Sequence, residues 1–344
     1  MKPGCYTALI TPFAGTAVDE EGLVRLAEFQ IQNGITGILA VGTTGEGPTL
    51  SWDEHHRVVA LCAKAARGKC LCIAGTGSNN TEEALLATRH AAEVGVDAVL
   101  LVDPYYNGPS SMEIRKEYVG KVAAAFPKLS VIPYVIPGRT GAQLLPEDLA
   151  FLSRDFPNVN TVKEATGDFS NMRRTRKCCG PEFDIFSGDD GITGEMIMDP
   201  EIAASGVISV VSNIIPKPMT DLVHLLRAKE MDAAEKRHAA IKPLFDLITV
   251  KTMEETPFGH VACRARNPLA IKTLMQVLGM PSGPCRPPLG KMTRKGLDVV
   301  VHTAKIVQAK NPEVFAPIAE FFNVDIDARL NNAALLEELC YAVY

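Results

Sequence analysis

Short apolar runs alternate with longer amphipathic stretches along the first two thirds of the chain. The apolar runs are rich in Val, Ile and Ala and are not interrupted by alternating polar residues, which is typical of strands buried on both faces. Eight strands are predicted, at Tyr6–Thr11, Gly37–Val41, Cys70–Ala74, Ala98–Val102, Val131–Tyr134, Val159–Lys163, Asp184–Ser187 and Gly206–Val210. The stretches between them predict helices at Glu20–Asn33, Ser51–Ala66, Thr81–Val94, Met112–Ala125, Pro146–Arg154, Ser170–Cys179 and Ile192–Asp199.

Start and stop signals support several of these helices. Ser51 is followed three residues later by Glu54, which is the spacing of a capping box that satisfies two backbone N–H groups at a helix start. Gly34 and Gly95 follow the last predicted residues of two other helices. Glycine at that position favours a left-handed cap, so both helices are expected to end there.

The alternation of strands and helices determines the expected fold class. Eight strand–helix units of about 25–30 residues each predict an α/β fold, a (β/α)8 TIM barrel over residues 1–230. A doubly wound open sheet is the alternative, and its dinucleotide-binding form needs the motif G-x-G-x-x-G after an early strand. The segment Gly75–Asn80 lacks the third glycine, so that signal is weak.

The rest of the chain is predicted to be helical. No strand is expected after about residue 212, and residues 231–344 are expected to form a C-terminal helical appendix with an extended tail from about residue 311. The helices predicted beyond residue 212 are Met219–Arg227, Met231–Leu247, Pro268–Leu278, Arg294–Gln308, Pro312–Phe322 and Asn332–Val343.

The composition excludes several classes of protein. Of the 344 residues, 47% are hydrophobic and 22% charged, which supplies a sizeable core and excludes general disorder. No run approaches the roughly 18 apolar residues of a membrane helix, and a net charge of −5 gives no broad basic surface. We therefore expect no membrane and no nucleic acid partner, while a local cationic pocket for a small acid fits the composition.

The nine cysteines do not have the pattern of a disulfide framework. Their number is odd, their spacing is irregular, and no C-x-x-C pair occurs, so a zinc ribbon is not expected. The scattered histidines have no metal-ligand spacing either. Most of the cysteines are interpreted as small buried residues in a reducing compartment. No secretory signal is recognised at the N-terminus, so the cytoplasm is the expected location.

Lys163 is the residue that points most directly to chemistry. It closes a Val-containing strand, and the carboxyl ends of barrel strands form the site in proteins of this architecture. Desolvation lowers the pKa of an ammonium group, and a neutral amine attacks a carbonyl to form a Schiff base. The alternative is a plain ion pair with a carboxylate such as Glu164. Tyr134, one strand away, is a candidate proton relay or an ordinary rim tyrosine.

Two other loops carry candidate binding groups. Thr43 and Thr44 lie between glycines, where the backbone approaches a small carboxylate closely, or else form a plain strand-to-helix turn. Arg139 lies in a Gly-rich turn and is a candidate for gripping a second carboxylate, or is a solvated surface arginine. Asp189 and Asp190 are interpreted as helix caps rather than metal ligands, because adjacent acids are poor ligand geometry.

Several short motifs occur in the order seen in one known superfamily. Over residues 4–305 the chain resembles the dihydrodipicolinate synthase / N-acetylneuraminate lyase superfamily, and within it the synthases. The motifs that carry the resemblance are Gly42-Thr43-Thr44-Gly45-Glu46, Tyr105-Tyr106-Asn107, Tyr134, Pro137-Gly138-Arg139-Thr140-Gly141, Lys163-Glu164-Ala165-Thr166-Gly167 and Ser187-Gly188-Asp189-Asp190.

The resemblance implies a lyase that condenses pyruvate with L-aspartate 4-semialdehyde to 4-hydroxy-tetrahydrodipicolinate, in the diaminopimelate route to lysine. It implies a pyruvate Schiff base on one lysine with no metal or organic cofactor, and a homo-oligomer, a dimer or a tetramer, in which a neighbouring subunit supplies a tyrosine. The implied catalytic residues are Lys163, Tyr134, Thr43 and Tyr106, and the implied substrate-binding residues are Thr44, Arg139, Ile208 and Gly188.

The same resemblance implies feedback by lysine. The positions expected to form a lysine site between subunits are Trp52, His55, Asn79, Glu83 and Tyr105. Arg139 favours the synthases over the sugar-acid lyases of the superfamily, whereas Val135 stands where the family commonly has asparagine. Two alternatives stay open: another pyruvate-dependent aldolase, acting on N-acetylneuraminate or a 2-keto-3-deoxy sugar acid, and a barrel that binds without catalysis.

Overall fold

A computed structural model describes residues 1–344 and confirms the predicted barrel. Eight parallel strands close in the order β1-β10-β9-β8-β7-β6-β5-β4, with β2–β3 and β11–β12 as separate two-stranded pairs. The strands are β1 Gly4–Ala8, β2 Phe13–Ala14, β3 Ala17–Val18, β4 Gly37–Ala40, β5 Leu71–Gly75, β6 Ala98–Val102, β7 Ser130–Val135, β8 Thr161–Glu164, β9 Asp184–Ser187, β10 Gly206–Ser209, β11 Thr249–Thr256 and β12 Gly259–Arg266.

Helices follow the barrel strands and surround the barrel. The capping box of Ser51 and Glu54 is present, and Gly95 ends its helix with a φ of 82°. The helices are α1 Glu20–Gln32, α2 Trp52–Ala66, α3 Thr81–Val94, α4 Ser111–Glu113, α5 Gly120–Ala125, α6 Pro137–Thr140, α7 Pro146–Asp155, α8 Phe169–Cys179, α9 Thr193–Met198, α10 Pro216–Ala228, α11 Met231–Phe245, α12 Leu269–Leu278, α13 Arg294–Lys310, α14 Ala316–Phe322, α15 Ile326–Leu330 and α16 Ala333–Glu338. A π-helical segment, Ile114–Val119, joins α4 to α5.

The barrel strands are buried on both faces, which explains their continuous apolar sequence. Outside the barrel, Leu101 and Val131 belong to the same buried cluster as Ile114 and Val122 of the covering helical segment. A second cluster fills the barrel interior; its members include Tyr6, Leu39, Ile73, Leu100, Ile132, Phe186 and Ile208. Full burial of such side chains stabilises the fold by roughly 1.5–3 kcal/mol each. The interior is therefore a packed core.

The prediction that strands end near residue 212 is wrong for residues 249–266. There β11 and β12 pair as an antiparallel hairpin around a turn at Pro257 and Phe258. Only one face of this hairpin packs on the protein, with Val250 and Glu254 buried. The Glu254 carboxylate accepts a 2.8 Å hydrogen bond from the Thr293 hydroxyl. Since one inward position is an acid and the other face is exposed, no apolar run marks these strands.

The tail beyond residue 311 folds back on the barrel. The rings of Phe321 and Phe322 pack on Phe29 of α1, with centroid separations of 5.4 and 5.2 Å. Arg329 donates to two carbonyl oxygens at the end of α12, at 2.7 and 2.8 Å. The last predicted helix is too long, since α16 ends at Glu338. The tail therefore covers α1 and the end of α12.

All nine cysteines are free thiols, and five of them are buried. The burial of five thiols confirms the interpretation of most cysteines as small core residues. Burial also raises the pKa of the Cys62 thiol to about 12, so this thiol stays neutral. No helix of the protein combines the length and hydropathy that crossing a bilayer requires.

Candidate active site

Lys163 and Tyr134 lie side by side at the carboxyl ends of neighbouring strands. Their Cα atoms are register partners on β8 and β7, and the Lys163 Nζ lies 4.2 Å from the centre of the Tyr134 ring. Glu164, the alternative partner for the lysine, is occupied elsewhere. Its carboxylate accepts hydrogen bonds from the Thr166 backbone N–H at 2.7 Å and the Asn171 side chain at 3.1 Å. Lys163 is therefore directed at the phenol ring and not at its sequence neighbour.

Burial adjusts the Lys163 amine for nucleophilic chemistry. The side chain is 5% exposed, and desolvation lowers its pKa to about 7, with Asp190 opposing the shift and Arg139 adding to it. Gly188 leaves room for the lysine, because a Cβ at that position would lie 3.1 Å from the Lys163 Cε. A substantial fraction of the amine is neutral near pH 7, as attack on a carbonyl requires.

Asp189 and Asp190 have different roles, although both are predicted as caps. Asp189 does cap, accepting from the Gly191 backbone N–H at 2.9 Å. Asp190 is instead 2% exposed and accepts from the Val210 backbone N–H at 2.9 Å. Burial raises its pKa to about 6, while hydrogen bonds from Ser209 and Val210 oppose that shift. The expectation that Asp190 is a helix cap is therefore wrong. Asp190 is a buried carboxyl group whose charge acts on Lys163.

The loop that carries Thr43 and Thr44 has an unusual backbone. Val41 and Glu46, at its two ends, have φ angles of 51° and 55°, a left-handed conformation that costs energy in non-glycine residues and is worst for a β-branched one. Within the loop, the Glu46 N–H donates to the Thr43 carbonyl at 3.2 Å. A Cβ at Gly47 would lie 2.6 Å from the Val41 carbonyl oxygen, so only glycine lets this loop close.

A buried ion pair holds the same loop from below. The Lys272 Nζ of α12 donates to the Glu46 carboxylate at 2.6 Å, and both side chains are 1% exposed. The ammonium also donates to the Thr11 carbonyl at 3.0 Å. The second Glu46 oxygen accepts from the Arg286 backbone N–H at 2.8 Å. Glu46 therefore connects the threonine loop to two segments from the C-terminal third of the chain.

The Tyr134 phenol is held in its neutral form. Burial raises its pKa to about 12, while Arg139 and a hydrogen bond with the Thr43 side chain pull it in the other direction. A phenol in that state donates a hydrogen bond at neutral pH and passes a proton on only when a base is presented to it. Tyr134 and Thr43 line the same cavity and are the hydroxyl pair of the site.

Arg139 lies in the single helical turn α6, which follows β7. Its Nη2 donates to the Asn267 carbonyl at 3.2 Å, and the Asn267 side-chain amide donates to the Thr44 hydroxyl at 3.0 Å. Desolvation lowers the pKa of Arg139, with Arg266 and Arg264 also contributing. The predicted binding groups Thr44 and Arg139 are thus linked through one buried asparagine.

One cavity of about 420 Å³ connects most of the predicted residues. Lys163, Thr44, Gly188 and Ile208 are not among the residues that line it. Lys163 contacts the ring of Tyr134, which does line the cavity, and Ile208 lies in the barrel interior. Tyr106 is outside the cavity, with 93% of its surface exposed and a φ of 80°. Asn79 is also outside, and its side chain accepts from the Tyr105 backbone N–H at 2.8 Å. The predicted site residues that line the cavity are Thr43, Tyr134, Arg139, Trp52, His55, Glu83 and Tyr105.

Comparison with known proteins places this geometry in a family. The family model described as the dihydrodipicolinate synthetase family matches residues 1–307. The chain belongs to this family. Relatives named 4-hydroxy-tetrahydrodipicolinate synthase include one from Methanococcus maripaludis strain S2, 38% identical over 289 residues, which are 84% of this chain and 93% of the relative. Another, from Syntrophus aciditrophicus, is 39% identical over 85% of this chain and 94% of its own length.

Solved structures of family members agree with the fold. The 4-hydroxy-tetrahydrodipicolinate synthase of Methylacidiphilum fumariolicum SolV has a TM-score of 0.81 at 35% identity, covering 91% of this chain and 99% of its own. The enzyme of Cyanidioschyzon merolae, whose structure was determined with lysine bound, has a TM-score of 0.80 at 32% identity, covering 89% and 98%. The barrel predicted from the sequence is therefore the family's fold.

Residues beyond the family motifs also shape the site. Lys272, Asn267 and Arg266 were not predicted as site residues, because they lie far from the barrel loops along the chain. The one available signal was a lysine on the strongly apolar segment of α12, since an ammonium at a buried helix position requires a partner. No group of three or more His, Cys, Asp or Glu side chains is arranged to hold a metal ion.

Proposed function

We propose that this chain condenses pyruvate with L-aspartate 4-semialdehyde to give 4-hydroxy-tetrahydrodipicolinate, in the diaminopimelate route to lysine. The observation that carries the proposal is the desolvated Lys163 amine, 4.2 Å from the ring centre of Tyr134. Tyr134 lines a cavity together with Arg139, whose guanidinium has no ion-pair partner in the chain. The names of the relatives from Methanococcus maripaludis and Syntrophus aciditrophicus support the choice of substrates.

The first half of the proposed reaction uses the amine and the hydroxyl pair. Neutral Lys163 adds to the pyruvate carbonyl, and the resulting carbinolamine loses water to form an imine. Tyr134, with Thr43, carries protons to and from the carbinolamine oxygen. The Thr44 hydroxyl and the backbone of its loop bind the pyruvate carboxylate, and Gly188 and the Ile208 carbonyl complete the pyruvate pocket.

The second half forms the carbon–carbon bond. Loss of a proton from C3 of the imine gives an enamine, and its C3 attacks the aldehyde carbon, whose oxygen takes up a proton. Arg139 binds the carboxylate of the incoming aldehyde, because a guanidinium matches a carboxylate in fork geometry. The amine of the second substrate then displaces Lys163 as the ring closes, and the free lysine is regenerated without any cofactor.

A substrate assay tests this function. The protein is incubated with pyruvate and either aspartate semialdehyde, N-acetylmannosamine or a sugar-derived aldehyde, and the loss of pyruvate is followed. Turnover with aspartate semialdehyde alone supports the proposal. Turnover with a sugar aldehyde instead contradicts it and favours another aldolase. Absence of both turnover and a pyruvate adduct after borohydride reduction would favour a barrel that only binds.

We further propose that the enzyme works as a homo-oligomer, a dimer or a tetramer. Tyr106 is 93% exposed in the single chain, which is unusual for a tyrosine assigned to a catalytic triad. The resemblance assigns one tyrosine of the triad to a neighbouring subunit, and an exposed Tyr106 is available to a second copy. We also propose a cytoplasmic location, which the free thiols support.

Lysine feedback is proposed at the outer part of the same cavity. Trp52, His55, Glu83 and Tyr105 line it, and the lysine-bound Cyanidioschyzon merolae enzyme supports this ligand. Burial lowers the pKa of His55 to about 4, so its imidazole is neutral and does not repel an ammonium. The Glu83 carboxylate and the Trp52 ring are suited to a cationic ligand.

Lysine is expected to inhibit turnover, and Glu83→Gln is expected to raise the half-inhibitory lysine concentration about tenfold, since a charge-assisted hydrogen bond is lost. Titration of lysine into the steady-state assay measures this. Glu82→Gln is the matched control, because Glu82 is the exposed neighbour in the first turn of α3. Unaltered turnover at millimolar lysine would contradict the proposal of lysine feedback.

A further inference from the structure

The segment that follows the hairpin β11–β12 contacts residues of the candidate active site. β12 ends at Arg266, and the next residue, Asn267, is 7% exposed. Asn267 bonds to both predicted carboxylate-binding groups, the Thr44 hydroxyl at 3.0 Å and the Arg139 guanidinium at 3.2 Å. The end of β12 is therefore fixed against the two binding groups, and Arg266 is fixed with it.

The pleat of the hairpin directs two arginines to the same face. Ala265 pairs with Val250, which is buried, so this pair faces the protein. Residues two apart on a strand share a face, and hence Arg264 and Arg266 lie on the opposite face from Ala265. Arg266 pairs with Thr249 and is half-buried, whereas Arg264 is exposed. The two arginines therefore lie on the same face of β12, with Arg266 half-buried and Arg264 exposed.

These guanidinium groups have no counter-ion within the chain. Thirteen ion pairs are present, and none includes Arg139, Arg264 or Arg266. The charges of Arg266 and Arg264 contribute to lowering the pKa of Arg139, and the charge of Arg266 also acts to lower the pKa of the Tyr134 phenol. Clustered like charges with partial desolvation cost free energy in the empty protein, and an anion bound among them relieves that cost.

We propose that Arg266, with Arg264 outside it, is a second specificity-determining group for the carboxylate of the aldehyde substrate, acting together with Arg139. The inference rests on the proposed function, because that reaction brings a second carboxylate to a site whose first carboxylate is bound at Thr44. Arg266 binds the carboxylate at the site, and the exposed Arg264 raises the local concentration of the anionic substrate.

The test distinguishes binding of the aspartate semialdehyde carboxylate from binding of the pyruvate carboxylate. Arg266→Ala is expected to raise the KM for aspartate semialdehyde about tenfold, as the loss of one charge-assisted contact implies. The KM for pyruvate and the rate of borohydride trapping with pyruvate alone stay within about twofold of wild type. Arg266→Lys restores part of the loss, and Arg264→Ala gives a smaller increase that disappears at high salt.

A second aldehyde makes the assignment specific. With 3-aminopropanal, which has the same chain and amine but no carboxylate, Arg266→Ala is expected to lower kcat/KM by less than about twofold. Arg89→Ala, which removes an exposed arginine of α3, controls for net charge and is expected to match wild type with both aldehydes. Thermal unfolding of each variant shows whether the fold is retained.

An unchanged KM for aspartate semialdehyde in Arg266→Ala overturns the inference, as does an equal loss with both aldehydes, which would indicate only a structural role. Either result leaves the proposed function intact, because wild-type turnover is measured in the same series. A wild-type protein that traps pyruvate but does not consume aspartate semialdehyde overturns the substrate assignment, and the inference fails with it.

Discussion

Replacement of Lys163 by alanine is expected to lower kcat by at least about 10³-fold, the scale seen when a covalent nucleophile is removed. The reason is chemical: no other amine lies beside Tyr134 with its pKa lowered to about 7 by burial. Without it, pyruvate forms neither the imine nor the enamine that the condensation requires. Mass spectrometry after incubation with pyruvate and borohydride measures the adduct directly, and steady-state assays measure the loss of turnover.

Lys163→Arg is the control for charge. It keeps a cation beside Tyr134 but stays protonated at any working pH, so it is expected to be as inactive as the alanine variant. Lys217→Ala, at an exposed position of α10, controls for the loss of a lysine and is expected to trap pyruvate normally. A full pyruvate adduct on the Lys163→Ala protein would show that a different lysine is the nucleophile.

The barrel was predictable because its strands are covered on both faces. Continuous apolar runs such as Ala98–Val102 are uncommon elsewhere in a soluble chain, and that run agrees in both bounds with β6. The helices were marked by their own ends, including Ser51 at the start of α2 and the glycine after α3. Local capping signals and the pattern of burial therefore specified the same elements, and this agreement is what allows the fold to be predicted from the sequence.

The hairpin was not predictable in the same way. Its inward face contains Glu254, whose burial is made possible by hydroxyl partners that no local pattern reveals. The turn at Pro257–Gly259 and the β-branched residues around it, such as Thr256 and Val261, were a weak hairpin signal. Because the hairpin packs through one face only, its strands lack the apolar continuity that identified the barrel.

The candidate site was predictable where its residues lie at the ends of barrel strands and unpredictable where they come from the C-terminal segments. Lys163, Tyr134 and Thr43 come from barrel strand ends, which converge in any barrel of this class. Asn267 reaches Thr44 across 223 positions of sequence. A contact at that separation depends on how the C-terminal segments dock, and nothing in the local sequence of Asn267 specifies its partner.

Replacement of Lys272 by methionine is expected to lower the free energy of unfolding by about 3–5 kcal/mol, the cost of leaving a buried charge unpaired. The Glu46 carboxylate is 1% exposed and has the Lys272 Nζ at 2.6 Å as its only charged partner at that distance. Glu46 also has a left-handed backbone two residues after Thr44. The variant is therefore expected to bind pyruvate more weakly as well, because the threonine loop loses its support.

Chemical denaturation followed by circular dichroism measures the stability change, with Lys217→Met as the matched control. Lys217 pairs with Asp221 at 3.2 Å, but its side chain is 61% exposed, so its loss is expected to cost less than about 1 kcal/mol. The double variant Glu46→Gln with Lys272→Met is expected to be more stable than Lys272→Met alone, since it removes the stranded charge as well. Equal stability of the two single lysine variants would contradict the role given to the buried pair. It would show that the Lys272–Glu46 contact does not stabilise the strained threonine loop.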